Sequence, residues 1–142
     1  MKALYLETSA LAQAYLEDRP EVHAALHSAR RGCRVYTSQL TEVEVRRALL
    51  HAQREGEVSA ADAAKALGAV LRLLQHVDVM PLTHAVLARA GDAFPSPIRS
   101  LDAIHVATAV LVHQRREVEE MVMFSRDNRV RDNASALGMQ LA

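Results

Sequence analysis

Short apolar runs that hand over to helical patterns recur along the whole chain. "KALYL" at 2–6, "CRVYTS" at 33–38, "VDVMPL" at 77–82 and "EMVMFS" at 120–125 have the length and content of buried strands. Helix signals fill the intervals. Thr8 or Ser9 can cap a helix running to about Leu16, and Pro20 and Glu21 suit the first turn of a second that Gly32 ends. Ser38 or Thr41 can start a helix that Gly56 stops, and Ser59 opens another. Thr83 caps "HAVLARAGDA". After the Pro-rich loop "FPSPIRS", Ser100 caps "LDAIHVATAVLVHQR", which is apolar almost all round and so predicts a buried helix. "DNRVRDNASALG" is a last helix, and "MQLA" a short edge strand. Strands alternating with helices predict an α/β fold: a mostly parallel sheet of four to five strands with helices on both faces. The carboxyl ends of such strands share one edge, where ligands bind.

The chain has 142 residues and no internal repeat, so one domain over 1–142 is expected. Lys+Arg and Asp+Glu are equal at 17 each, which argues against a generic, basic nucleic-acid binder. The basic residues are Arg except for Lys2 and Lys65, and Arg suits bidentate phosphate or carboxylate contacts. The single cysteine, Cys33, excludes an internal disulfide and a Cys-based zinc site. No stretch is apolar for long enough to span a membrane, and Glu7 and Glu17-Asp18 interrupt any signal-peptide pattern. A cytoplasmic protein is the expectation.

In a parallel sheet, four acids fall at the shared edge. Glu7 ends the first strand, Asp127 follows the "MVMFS" strand, and Asp102 lies in the first turn of the apolar helix. Glu44 lies early in the helix after the second strand. Acids near helix N-termini also serve as caps, which is a complete alternative reading for Asp127 and a partial one for Asp102. Glu7 is harder to explain that way, because Thr8 and Ser9 already offer caps. Periodicity leaves Glu44 open, while Glu42 shares a polar strip with Arg46 and Gln53. Like charges about 4 Å apart repel by roughly 4 kcal/mol at an effective dielectric near 20. Four crowded carboxylates therefore need protons or cations, and an oxygen-only donor set suits Mg²⁺ or Mn²⁺ better than zinc.

"YLETSALAQAYLED", "TSQLTEVEVRRAL", "IRSLDAIHVATA" and "MFSRDNRVRDNASALGMQL" resemble, in order, the successive motifs of the PIN-domain family, most closely its VapC-type toxins. The resemblance spans nearly the whole chain, and its third motif is the most distinctive. It implies a parallel sheet flanked by helices and Mg²⁺- or Mn²⁺-dependent cleavage of RNA. The family's metal-site acids would fall on Glu7, Glu44, Asp102 and Asp127, which selects Glu44 over Glu42. Ser9 matches a small polar position that supports the metal or its water. Glu7 stands where the family usually has Asp, a departure that bears on metal preference and turnover. The resemblance also implies a cognate antitoxin and a homodimer.

The reaction expected is endonucleolytic hydrolysis of single-stranded RNA, with Arg46, Arg99 and Arg126 as contacts to the RNA backbone. A salt bridge to a neighbouring acid is the plain alternative for each arginine. The rival function is a catalytically impaired PIN-like protein that binds RNA or an antitoxin, and the substitution at Glu7 is its motive. A receiver domain would need a late lysine that the chain lacks. His105 reads as core packing, with membership of the site as the lesser reading, and His23/His27 read as a solvated pair.

Overall fold

The computed structural model describes residues 1–17 and 19–142. Among them are five strands: β1 (Lys2–Leu6), β2 (Arg34–Ser38), β3 (Asp78–Met80), β4 (Glu120–Phe124) and β5 (Gln140–Leu141). Seven helices accompany them: α1 (Thr8–Tyr15), α2 (Pro20–Ala29), α3 (Leu40–Arg54), α4 (Ala60–Leu74), α5 (His84–Ala90), α6 (Ser100–His113) and α7 (Asn128–Ala136). The strands form one sheet in the order β3-β2-β1-β4-β5, and every neighbouring pair is parallel. The alternation in the sequence thus yields the expected α/β domain, with β1 at the centre.

Side chains alternate across that central strand, as period two requires. Ala3 and Tyr5 join a core built with Val106, Ala109 and Val112 of α6 and Val130 and Ala134 of α7. Leu4 and Leu6 join the opposite core, with Ala10 and Leu11 of α1, Val22 and Leu26 of α2, and Leu73 of α4. A third cluster, Val45, Leu49, Ala63 and Val70, welds α3 to α4. Tyr5 stands level with Tyr36 on one side and Met123 on the other. The ladder runs one residue past β1, because the Glu7 N–H donates to the Phe124 carbonyl at 3.0 Å. Glu7 is therefore on the Tyr5 side of the sheet, level with Ser125.

Most predicted helix boundaries stand. Ser59 and Thr83 accept from the amides of Asp62 and Val86 at 3.1 and 3.2 Å and cap α4 and α5. Gly56 and Gly138 close α3 and α7 at φ of +72° and +89°, a region that suits glycine. Two caps differ. Arg99, not Ser100, is the N-cap of α6, since the Ala103 N–H reaches the Arg99 carbonyl at 2.8 Å and draws Ser100 into the helix. Glu7, not Thr8 or Ser9, caps α1, with its carboxylate accepting from the Ser9 amide. No helix of the described residues is long and apolar enough to cross a membrane.

Candidate active site

All-parallel topology brings the carboxyl ends of β1, β2 and β4 to one edge. β1 there delivers Glu7, and the helix after β2 carries Glu44 just over one turn in. The turn after β4 presents Asp127. α6 descends toward the start of β4, so its first turn, with Asp102, lies at the same edge. Electrostatics reports the meeting. Burial pushes the Asp102 carboxyl up, and the negative charges of Asp127, Glu7 and Glu44 push it further, with His105 acting the other way. Carboxylates of three other segments thus bear on one carboxyl group.

Their bonding differs. Glu7 is 4% exposed and has both oxygens engaged. Oε1 accepts from the Ser9 amide at 3.1 Å, while Oε2 accepts from the Ser125 hydroxyl at 2.7 Å and from the Ser9 hydroxyl. The Arg126 N–H in turn donates to Ser9 Oγ at 2.8 Å, so Glu7, Ser9 and Ser125 stitch the ends of β1 and β4 together. Asp127 caps α7 through Oδ1, which accepts from the amides of Arg129 and Val130 at 2.9 and 3.2 Å. The capping reading of Asp127 is therefore correct as far as Oδ1 goes, and it leaves Oδ2 without a protein donor. Asp102 accepts from no donor among the described residues.

Glu44 is held by a chain that crosses the core. Its Oε1 accepts from the Thr8 hydroxyl at 2.8 Å and lies 2.5 Å from His105 Nε2. On the far side of the ring, His105 Nδ1 is 2.9 Å from the Tyr5 hydroxyl, and the two rings meet edge-on at 6.0 Å. Both Tyr5 and His105 are fully buried. Burial, helped by the charges of Glu7 and Glu44, holds the Tyr5 hydroxyl well above its usual range, so it stays protonated. His105 is thus a fully buried residue, as the packing reading has it, and is also bonded to one of the four candidate acids. The signal was present: it follows Asp102 by three residues on one helical face. Tyr5, Thr8 and Ser125 were not singled out, because their roles depend on contacts between distant segments.

The three arginines separate. Arg99 is exposed at the start of α6, three residues before Asp102. Arg126 adjoins Asp127, with its guanidinium 5.0 Å from the Phe124 ring centroid and its buried Nε without a partner. Arg46 pairs with Glu42 at 3.5 Å and lines a groove of 280 Å³ between α3 and α4 with Leu49, Leu50 and Leu67. A basic cleft of 650 Å³, lined by Arg30, Arg31, Arg34 and His76, lies at the other end of the sheet. There Arg34 is paired with Asp78 at 2.7 Å, and Arg30 caps the negative C-terminus of α2. It has nothing of the acidic rim's chemistry.

Residues 4–135 match the PIN domain. The chain belongs to the PIN-domain family. Ribonuclease VapC46 of Mycobacterium tuberculosis is 37% identical over 139 residues, covering 98% of this chain and 95% of that protein. Ribonuclease VapC35 of the same species is 36% identical over 138 residues, with 96% and 93% covered. The fold also resembles a chain in the structure of VapBC2 from Rickettsia felis bound to a promoter DNA fragment. The TM-score there is 0.67 at 9% identity, with 100% of this chain and 98% of that one covered. For this PIN domain the family assignment therefore rests on sequence over nearly the full length, and the architecture agrees with it.

As it stands, no group of three His, Cys, Asp or Glu side chains among the described residues is close enough to hold a metal ion. Glu7 and Glu44 are drawn to hydroxyl, amide and imidazole donors, and repulsion opposes closer approach of the rest. The donor chemistry nonetheless suits a hard divalent cation. The set is all carboxylate, and free oxygens remain on Asp102, Asp127 and Glu44.

Proposed function

We propose that this PIN-domain protein is a divalent-cation-dependent endoribonuclease that hydrolyses phosphodiester bonds in single-stranded RNA, as the toxin of a toxin–antitoxin pair. One observation carries the reading: Asp102, with its carboxyl pushed up, feels three further carboxylates from separate segments at the ligand-binding edge of a parallel sheet. The relatives named as ribonucleases, 36–37% identical over nearly the whole chain, supply the reaction class.

Asp102, Asp127 and Glu44 would hold Mg²⁺ or Mn²⁺ through the oxygens that lack protein donors. Glu7 would complete the set by exchanging a serine donor, with Ser9 supporting it. The cation supplies positive charge that polarises the scissile phosphate and lowers the pKa of water. Glu44 orients the attacking water through its second oxygen. Arg99 and Arg126 steady the RNA backbone beside the acids, and Arg46 joins them only by releasing Glu42. An unpaired strand is the target because its phosphates can bend into a narrow acidic edge. The antitoxin partner would compete for that edge with an Arg among the acids, its helix packed on an apolar groove such as that between α3 and α4. A second copy of the chain and a cytoplasmic setting belong to the same proposal.

Cleavage of a labelled single-stranded RNA, with and without Mg²⁺ or Mn²⁺, tests it. The native protein is expected to cut only with the cation. Glu44→Gln and Asp102→Asn are expected to lose about 10²–10⁴-fold in rate with the fold intact. Unchanged cleavage by both variants, or undiminished cleavage in chelator, contradicts the chemistry.

A second reading has its own observation. Glu7 already has both oxygens bonded by Ser9 and Ser125, which favours an impaired site that binds RNA or an antitoxin without cutting. Cleavage by Glu7→Asp but not by the native chain would select it.

A further inference from the structure

The chain Tyr5–His105–Glu44 links a strand in the middle of the sheet to the acidic rim, and the ribonuclease reading leaves it without a role. Tyr5 comes from β1, Thr8 from α1, Glu44 from α3 and His105 from α6, so four elements meet in it. Its direction follows from chemistry. A Glu44 carboxylate can only accept, so His105 Nε2 carries a proton and donates it across 2.5 Å. On the far side of the ring, Nδ1 pairs with the Tyr5 hydroxyl across 2.9 Å. Thr8 donates to the same Glu44 oxygen at 2.8 Å. Two donors thus converge on Oε1, and Oε2 receives none among the described residues.

Rotation of Glu44 away from this arrangement would leave Nε2–H, on a fully buried ring, with only the Thr8 hydroxyl at 3.3 Å. Rotation of His105 would also break its pairing with the Tyr5 hydroxyl. The chain therefore fixes the Glu44 carboxylate by one oxygen.

We propose that His105, locked by Tyr5, is a positioning residue that holds Glu44 by one oxygen so that the other is offered to the divalent cation. This rests on the ribonuclease reading and assigns that site an outer shell. Hydrogen-bond partners of metal ligands usually contribute 10–100-fold to metal affinity. The same role predicts that loss of the chain is felt in cation binding before it is felt in the fold.

Mn²⁺ binding to the RNA-free protein, measured by titration calorimetry, gives a readout apart from cleavage. His105→Leu is expected to weaken binding about 10-fold to 100-fold. His105→Gln, whose amide can still donate to Glu44, is expected to stay within about 3-fold of native, and Tyr5→Phe to fall between. Cleavage by His105→Leu is expected to recover at high Mn²⁺, the mark of lost affinity and not of lost chemistry. If His105→Leu does not fold, Tyr5→Phe and His105→Gln still decide the matter by their order. Native-like Mn²⁺ affinity in Tyr5→Phe and in whichever His105 variants fold overturns the positioning role and leaves the ribonuclease reading standing. Native-like affinity in Glu44→Gln also overturns it, since Glu44 would not be a ligand. A native protein that binds no Mn²⁺ removes both.

Discussion

At the scale of single residues, Asp102 shows what the acidic rim costs. Burial and three neighbouring carboxylates hold its carboxyl above the usual aspartate range, near 3.9. The folded chain therefore keeps that proton to a higher pH than the unfolded chain does. Between the unfolded and the raised value folding takes up a proton, so this group's contribution to stability declines as pH rises through that window. Asp102→Asn should thus melt higher than the native chain at neutral pH without divalent cation. The gap should close as the pH falls below the window. Melting curves across that range check it, and a gap independent of pH would contradict the assignment. Residue-level reading of the sequence identified this acid because a charge opening an apolar helix stands out. It left the bonding of His105 open, because its partners Tyr5 and Glu44 lie 100 and 61 residues away.

At the scale of elements, several acids do two jobs, which blurs the line between cap and site. Asp127 holds the first turn of α7 with one oxygen and keeps the other free. Asparagine is as good an N-cap as aspartate, whereas alanine is a poor one. Asp127→Asn should therefore melt close to the native protein yet lose cleavage. Asp127→Ala should lose cleavage and also about 1 kcal/mol of stability in urea unfolding. Equal stabilities for the two variants would show that the cap is not worth what its geometry suggests. Glu7 shows the same economy: a strand terminus gains a carboxylate that caps α1 and ties Ser125 of the neighbouring segment. Sequence reasoning assigned that cap to Thr8 or Ser9, because it weighed residue preference at the helix start and could not see that β1 stays extended through Glu7.

At the scale of the molecule, the fold was legible because strands covered on both faces read as unbroken apolar runs. "LYL" and "MVMF" lie side by side in β1 and β4 with the register that places Glu7 beside Ser125. β3 and β5 span three and two residues, shorter than the runs 77–82 and 139–142, since short edge strands carry little pattern. All-parallel pairing puts the segments that carry Glu7, Glu44, Asp102 and Asp127 at one edge of the sheet. What topology cannot supply is the side-chain arrangement, in which protein donors already occupy Glu7 and half of Glu44. Crystals soaked in Mn²⁺ and measured at its absorption edge test the central claim most directly. The account predicts an anomalous peak ligated by Asp102 and Asp127, with the free oxygen of Glu44 turned to it or to its water. Absence of a peak at that edge, or a peak confined to other residues, would contradict it.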